Sequence, residues 1–161
     1  MGMKASSGTT LLLVLALAGC STATVAPAKP MEPTTAGQGT LVVEIAGLRN
    51  AVGRVSVSIF DGTEGFPQDT TAASRSASVE LIRGDEVVLH FEDLDYGNYA
   101  VAVLHDENGN GLMDTALFGI PSEGFAFSNN PRPGFGAPSF EACKFPLNQA
   151  QVTLRLEMRY F

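Results

Sequence analysis

Residues 97–114, GNYAVAVLHDENGNGLMD, are the stretch from which the fold is best predicted. Tyr99, Val101 and Val103 alternate with small alanines, so both faces of this segment are apolar. A strand that is apolar on both faces is buried on both sides, which predicts the central strand of a sheet. The strand runs directly into the densest group of side-chain oxygens and glycines in the sequence, which begins at Asp106.

The segment from Asp106 to Asp114 follows the ligand spacing of a calcium-binding loop. Calcium takes about six to eight oxygen ligands, and alternate residues of a tightly turned loop can supply them. Gly111, at the sixth position, permits the sharp turn that such a loop needs. The predicted ligands are the side chains of Asp106, Asn108, Asn110 and Asp114 and the backbone carbonyl of Leu112.

The calcium pattern breaks at its last position, where a bidentate glutamate is expected and Leu117 stands. A closing carboxylate must then come from elsewhere, with Glu123, Glu141 and Glu64 as candidates in that order. Few charged ligands predict a weak site, with a Kd on the order of 0.1–1 mM. The segment before the loop has strand character, unlike the helix of an EF-hand. The alternative is a plain turn, because Asn-Gly steps tolerate positive φ.

Further segments of the chain alternate apolar and polar residues, which places one face in a core and the other in water. They span residues 41–45, 55–59, 77–81, 87–91 and 152–158. With residues 97–105 and a shorter segment near Ala142–Leu147 they make about seven strands and no helix. We predict an all-β fold, an antiparallel two-sheet sandwich of the immunoglobulin-like or transthyretin-like kind. A small closed barrel is the alternative.

Residues 118–140 are rich in glycine and proline but also hold several phenylalanines, which argues against disorder. Long loops without secondary structure are uncommon in compact domains and are often functional. We expect an ordered excursion over one end of the sandwich that contacts a ligand or partner. Its candidate contact residues are Phe118, Phe125, Phe127, Asn129, Asn130 and Phe135.

The composition bounds the class of protein. The chain has 161 residues, enough for one domain, and its 45% hydrophobic and 17% charged residues are typical of a globular protein. A net charge of −7 without any run of lysine or arginine argues against nucleic-acid binding. The chain has no tryptophan, so any platform for stacking sugars must be tyrosine or phenylalanine.

The N-terminus resembles a bacterial lipoprotein signal. Lys4 precedes an uncharged apolar run at residues 11–18, too short to span a bilayer, and the sequence LAGC follows at 17–20. The resemblance implies that residues 1–19 are a signal peptide and that Cys20 is lipidated. Two or more acyl chains give stable anchoring. The alternative is an ordinary secretory signal cut shortly before the cysteine.

After Cys20 the chain is predicted to form a flexible tether up to residue 38, because alanine, threonine, proline and glycine dominate there. The folded domain is then residues 39–161. Ser21 after the cysteine is compatible with the outer membrane, facing the periplasm. A lipidated Cys20 cannot pair with Cys143, so we expect no intrachain disulfide and a buried, apolar Cys143.

The segments around these strands and loops resemble the bacterial family called domain of unknown function 2141. The matching segments are IAGLRN at 45–50, GRV at 53–55, FD at 60–61, EGFP at 64–67, FEDL at 91–94, GNYAV at 97–101, HDENGNG at 105–111, GIPSEGFAFSNN at 119–130 and GAPSF at 136–140. The family implies an exported β-sandwich but no activity or ligand. The loop after the central strand is also similar to calcium loops in β-sandwich modules of bacterial surface proteins.

Three functions follow from these observations. We expect a non-enzymatic envelope lipoprotein, a monomer whose domain binds an unknown protein or small ligand and is stabilised by calcium. One alternative is a metal-dependent or acid–base hydrolase around His105 and Asp106. Against it, the chain has only two histidines and no Gly-x-Ser-x-Gly, His-x-x-x-His or Cys-x-x-Cys pattern. The other alternative is a carbohydrate-binding module that uses Tyr96, Tyr99 or the phenylalanines.

Overall fold

The computed structural model describes residues 37–82, 86–132, 134 and 136–161, which form a sandwich of two β-sheets. In the first sheet, β1 (Gln38–Ala46) lies between β4 (Val87–Asp95) and β8 (Gln151–Glu157). The strand order of the second sheet is β3 (Arg75–Glu80), β2 (Arg54–Phe60), β5 (Gly97–Asp106) and β6 (Gly124–Phe127). The short β7 (Phe145–Leu147) pairs with the start of β5.

Helical structure in the described ranges is limited to single turns. α1 (Phe140–Cys143) is capped by the Ser139 side chain, which accepts a hydrogen bond from the Ala142 N–H at 3.3 Å. Two 3-10 turns span Thr70–Ala72 and Leu117–Gly119. Across the described residues, none of these elements has the length and apolar character that a membrane span requires.

The main core lies between the two sheets and follows from the alternation of the strands. Leu41, Val43 and Ile45 of β1 have no exposed surface, and neither do the corresponding residues 55, 57 and 59 of β2. Each fully buried Val, Leu or Ile side chain contributes roughly 1.5–3 kcal/mol relative to an exposed one. The predicted all-β two-sheet sandwich is therefore confirmed. Since the core residues of the described domain lie between positions 41 and 158, this domain has the core that independent folding requires.

A second apolar cluster covers the outer face of the second sheet. Phe60 of β2 packs edge-to-face on Phe66, with ring centroids 5.2 Å apart, and Phe66 contacts Phe140 of α1 in the same way at 5.9 Å. Cys143 has no exposed surface in this cluster, as predicted, and burial raises the pKa of its thiol to about 11. The neutral thiol is thereby favoured, and Cys143 serves as a packing residue.

β5 is the central strand that its two apolar faces predict. It pairs with β2 on one side and β6 on the other, and Tyr99, Val101 and Val103 face the main core. Ala100, on the opposite face, belongs to the second cluster. The loop that follows β5 therefore starts from a strand that is buried on both faces.

Two details differ from the prediction. Residues 118–140 were expected to lack secondary structure, but they contain β6 and lead into α1, so the described residues hold eight strands instead of about seven. The last strand, β8, also pairs with β1 in parallel, whereas a purely antiparallel sandwich was expected. Both sheet neighbours of β1 are distant in the chain, so the alternation of each strand alone carries no information about this pairing.

Several predictions concern residues outside the described ranges. These are the signal peptide at 1–19, the lipidated Cys20, the tether up to residue 36 and the contact residue Phe135. Gly37 and Gln38 are described, and β1 begins at Gln38, one residue before the predicted domain boundary.

Candidate cation loop and binding surface

The loop after β5 is organised by the buried carboxylate of Asp106. Its Oδ1 accepts hydrogen bonds from the backbone N–H groups of Gly109 at 2.7 Å and Asn110 at 3.1 Å, and its Oδ2 accepts from Gly111 at 2.8 Å. The side chain has no exposed surface. Gly111 adopts a φ of 78°, a region that glycine enters without steric cost. The loop therefore turns around the Asp106 carboxylate, which accepts three of its backbone N–H groups.

The remaining predicted ligands converge on Asp114. The side-chain amides of Asn108 and Asn110 both donate to Asp114 Oδ2, the second at 3.0 Å. The amide oxygen of Asn108 accepts from the Asn110 N–H at 3.0 Å, and that of Asn110 accepts from the Leu112 N–H at 2.7 Å. The side chains of Asn108, Asn110 and Asp114 are thus brought together, and the amide nitrogens of the two asparagines face the Asp114 carboxylate.

Glu123, the preferred closing carboxylate, reaches the same loop from the start of β6. Its Oε1 accepts from the Glu107 N–H at 2.9 Å and its Oε2 accepts from the Asp114 N–H at 3.2 Å. Glu123 is buried, so it ties both ends of the loop to the sandwich. The other two candidates do not contact the loop: Glu141 of α1 pairs with Lys144, which follows the helix, and Glu64 is exposed after β2.

The atoms of the loop that are predicted to coordinate a metal are all oxygens, which suits calcium. The described part of the chain contains no group of three or more His, Cys, Asp or Glu side chains arranged to hold a metal. Amide and carbonyl oxygens would therefore have to supply part of any coordination. A carboxylate has about four acceptor sites, and Asp106 uses three of them while Glu123 uses two. Both groups retain capacity for a cation.

A bidentate ion pair fixes the outer side of the loop. Arg49 Nε and Nη2 donate to Glu107 Oε1 and Oε2 at 2.7 and 2.5 Å, and Asn50 Nδ2 also donates to Oε1 at 2.7 Å. Arg49 in turn lies over the Tyr160 ring, 4.6 Å from its centroid, and donates to the Ser122 carbonyl. The hydrogen bonds from Arg49 lower the pKa of Glu107 to about 2. This cluster was not predicted from the sequence.

His105 is a structural residue inside the fold. Its ring has no exposed surface, and Nε2 lies 2.8 Å from the Val52 carbonyl while Nδ1 lies 2.7 Å from the Tyr160 hydroxyl. Since a carbonyl only accepts, Nε2 carries the hydrogen and Nδ1 accepts from Tyr160. Both nitrogens of the ring are therefore hydrogen-bonded within the fold.

The candidate contact residues of the aromatic segment mostly serve packing. Phe125 and Phe127 are half-buried on β6, with centroids 5.7 Å apart. Asn129 donates to the Lys144 carbonyl at 2.9 Å. Asn130 donates to the Arg155 carbonyl at 2.9 Å and accepts from the Glu157 N–H at 3.1 Å. The two asparagines thus join β6 to neighbouring elements. Asn129 is also exposed, and Phe118 is the described phenylalanine candidate whose side chain is displayed to solvent.

Phe118 lies at the tip of a small hairpin, Thr115–Pro121, that projects from the loop. Thr115 and Pro121 form an antiparallel bridge, and the Ala116 N–H donates to the Ile120 carbonyl at 2.7 Å. The Ser122 N–H donates to the Asp114 carbonyl at 2.9 Å, which fixes the base of the hairpin. The side chain of Phe118 is 99% exposed. We call this element the tip hairpin.

Fold and site together define a small all-β sandwich domain that presents an apolar hairpin from a loop held by buried carboxylates. The chain belongs to the family described as "Uncharacterized protein conserved in bacteria (DUF2141)", whose sequence pattern matches residues 43–155. The resemblance seen in the sequence is therefore confirmed. Neither the comparison with curated proteins nor that with solved structures gave a match.

Proposed function

We propose that this protein is a cell-envelope lipoprotein whose β-sandwich acts as a non-enzymatic binding module, stabilised by calcium in the loop after β5. One observation supports the binding role above the others. The tip hairpin, with Phe118 fully displayed, rises from a loop that Asp106 and Glu123 hold rigidly from inside the fold. Binding residues commonly lie on loops positioned by a rigid scaffold.

Calcium would strengthen the same loop. The residues that would hold it are Asp106, Asn108, Asn110, Asp114 and Glu123 and the Leu112 carbonyl. At present the Asn108 and Asn110 amide nitrogens face Asp114, so an ion has to replace these hydrogen bonds with contacts to oxygen. This competition, and the small number of charged ligands, favour weak binding.

The calcium proposal is tested by thermal unfolding of residues 37–161 in millimolar calcium and in chelator. A ligand that binds only the folded state stabilises it by RT ln(1 + [L]/Kd), about 1.4 kcal/mol at ten times Kd. We expect the unfolding midpoint to rise with calcium. Asp114→Asn keeps the shape of the side chain but removes its charge, so the rise should disappear in this variant and in Asp106→Ala.

Glu92→Gln is the matched control, because Glu92 is an exposed carboxylate on β4 outside the loop. Its midpoint should rise with calcium as in the natural chain. Magnesium at the same ionic strength controls for general salt effects. An equal rise in Asp114→Asn, or no rise in the natural chain, would show that the loop is a turn without a specific cation site.

The anchor is proposed from the sequence LAGC at 17–20 and the uncharged run before it. We expect full-length protein in a bacterial host to partition into the membrane fraction, in the outer membrane facing the periplasm, and to be labelled by palmitate. Cys20→Ser should abolish the label and release the protein. Cys143→Ala is the control and should remain labelled. Labelling of Cys20→Ser would contradict the proposal.

The alternative functions have weaker support. A hydrolase would need His105 as a base or ligand, but both ring nitrogens are hydrogen-bonded within the fold. A carbohydrate module would need an exposed aromatic platform. Tyr99 is buried and donates its hydroxyl to the Asp95 carbonyl at 2.8 Å, and Tyr96 is half-buried. Phe118 is exposed, but residues 115–122 carry no charged side chain that could bind sugar hydroxyls beside it.

A further inference from the structure

Exposed apolar side chains gather at one end of the sandwich. This end, which we call the loop pole, is where β1, β3, β5 and β8 end and where β2 and β4 begin. Ile82, just after β3, is 90% exposed, and Leu117 in the tip hairpin is 81% exposed. The principal members of the group are Val52, Ile82, Leu112, Leu117, Phe118 and Ile120. They come from three different connections, so they form a broad surface and not one pocket.

The tip hairpin is suited to an apolar environment because it is uncharged and partly hydrogen-bonded along its backbone. Residues 115–122 carry no charged side chain. Three of its backbone N–H groups are hydrogen-bonded at the hairpin, from Ala116 to Ile120, from Gly119 to Ala116 and from Ser122 to Asp114. Each backbone group that is bonded internally lowers the penalty of moving the segment out of water.

Phe118 is held in an unfavourable backbone conformation. Its φ is 65° and its ψ is 19°, in the left-handed region that bulky residues avoid. Asparagine and glycine adopt this region far more readily. Phe118 therefore does not stabilise the fold, because its backbone conformation is unfavourable and its side chain is almost wholly exposed and packs on nothing. Strained residues of this kind are commonly retained for binding.

We propose that the loop pole docks on a lipid bilayer, with Leu117, Phe118 and Ile120 entering the boundary between headgroups and acyl chains. The proposal deepens the binding function proposed above and rests on it. A protein interface normally adds about one hydrogen bond per 100–200 Å². The side chains of Leu117, Phe118 and Ile120 carry no hydrogen-bonding group, so the exposed part of the tip hairpin offers a protein partner no side-chain hydrogen bonds. A lipid surface requires none.

A second copy of this chain fits the surface less well. Stable dimers bury roughly 800 Å² per partner, whereas a projecting hairpin tip meets its symmetry mate over a small area. The net charge of −7 also opposes association of two copies. The same charge predicts that zwitterionic lipids are bound better than anionic ones, in contrast to proteins that bind through lysine and arginine.

The absence of tryptophan from the chain permits a direct test. Phe118→Trp places the only indole at the tip hairpin, and Asn148→Trp places it at an exposed site after β7, at the opposite end of the sandwich. Each variant of residues 37–161 is mixed with phosphatidylcholine vesicles in chelator. Chelator makes the result independent of the calcium proposal. We expect the emission of Phe118→Trp alone to shift to shorter wavelength and to be quenched by brominated acyl chains.

Flotation of the unlabelled protein with the same vesicles measures affinity. We expect a weak association constant, at or below about 10⁴ M⁻¹, the range of a single myristoyl chain. Phe118→Asn should weaken it by about tenfold, since one phenyl group is lost from the bilayer. Because asparagine suits the left-handed backbone, the unfolding midpoint of Phe118→Asn should stay equal or rise.

Three outcomes would overturn the proposal. The first is the absence of any spectral shift or floated protein with phosphatidylcholine. The second is binding that requires anionic lipid, which would indicate an electrostatic contact. The third is a shift of Phe118→Trp emission that depends on protein concentration without vesicles, which would identify the loop pole as a contact between copies. Calcium stabilisation without vesicle binding would leave the module intact but remove lipid as its target.

Discussion

Gly53→Ala is expected to lower the free energy of unfolding by about 3 kcal/mol or more, or to prevent folding. Gly53 has a φ of +76°, and a Cβ atom there would lie 2.1 Å from the Asp106 carbonyl oxygen and 2.7 Å from Glu107 Cα. The left-handed backbone costs a non-glycine residue roughly 1–2 kcal/mol. The clash adds more, because the atoms it meets belong to the backbone and cannot rotate away. Urea denaturation of residues 37–161 measures the loss.

Gly62→Ala is the matched control for this substitution. Gly62 also lies in a connection beside β2, but an added Cβ atom meets nothing within 4 Å. Its stability should change by no more than about 0.5 kcal/mol. If Gly53→Ala lost less than about 1 kcal/mol, the close approach of residue 53 to the end of β5 would be wrong.

Asp106→Asn is expected to cost about 2–3 kcal/mol and to act mainly on the loop that follows. The natural carboxylate accepts three backbone N–H groups. The asparagine side chain can accept on one atom only, so at least one backbone N–H of the loop loses its partner and faces an amide N–H₂ group. Hydrogen exchange should accelerate more at residues 107–114 than in the strands.

Asp61→Asn provides the comparison, because Asp61 also follows a strand of the second sheet but is exposed. It should leave stability and exchange nearly unchanged. A loss of protection spread evenly over all strands in Asp106→Asn would mean that the carboxylate supports the whole sandwich and not the loop in particular.

The sequence predicts the architecture well where alternation persists over several residues. β1, β2 and β5 show this pattern, and their inward residues form the main core. β6 escaped prediction because it has only four residues among glycines and prolines. Its place in the sheet depends on its pairing with β5, which is a tertiary interaction and has no local pattern.

The candidate site also combines features that a local sequence pattern predicts with features that depend on tertiary contacts. The turn at Asp106 follows from a local spacing of oxygens and glycines, and Glu123 was expected because a calcium loop needs a closing carboxylate. The ion pair between Arg49 and Glu107 joins residues 58 positions apart, and the two segments that hold them match the family separately, without a local pattern that pairs them. Such a pair depends on where β1 and β5 end in space, so the sequence of either segment alone does not indicate it.

The parallel pairing of β1 with β8 constrains when the protein can fold. Glu44 of β1 and Arg155 of β8, which form an ion pair, are 111 residues apart. The first sheet has β1 at its centre, so it stays incomplete until the last strand arrives. Folding that depends on such distant contacts is slow, because the entropy of closing long loops is lost before the contacts form. The first sheet can therefore be completed only after β8 has been synthesised.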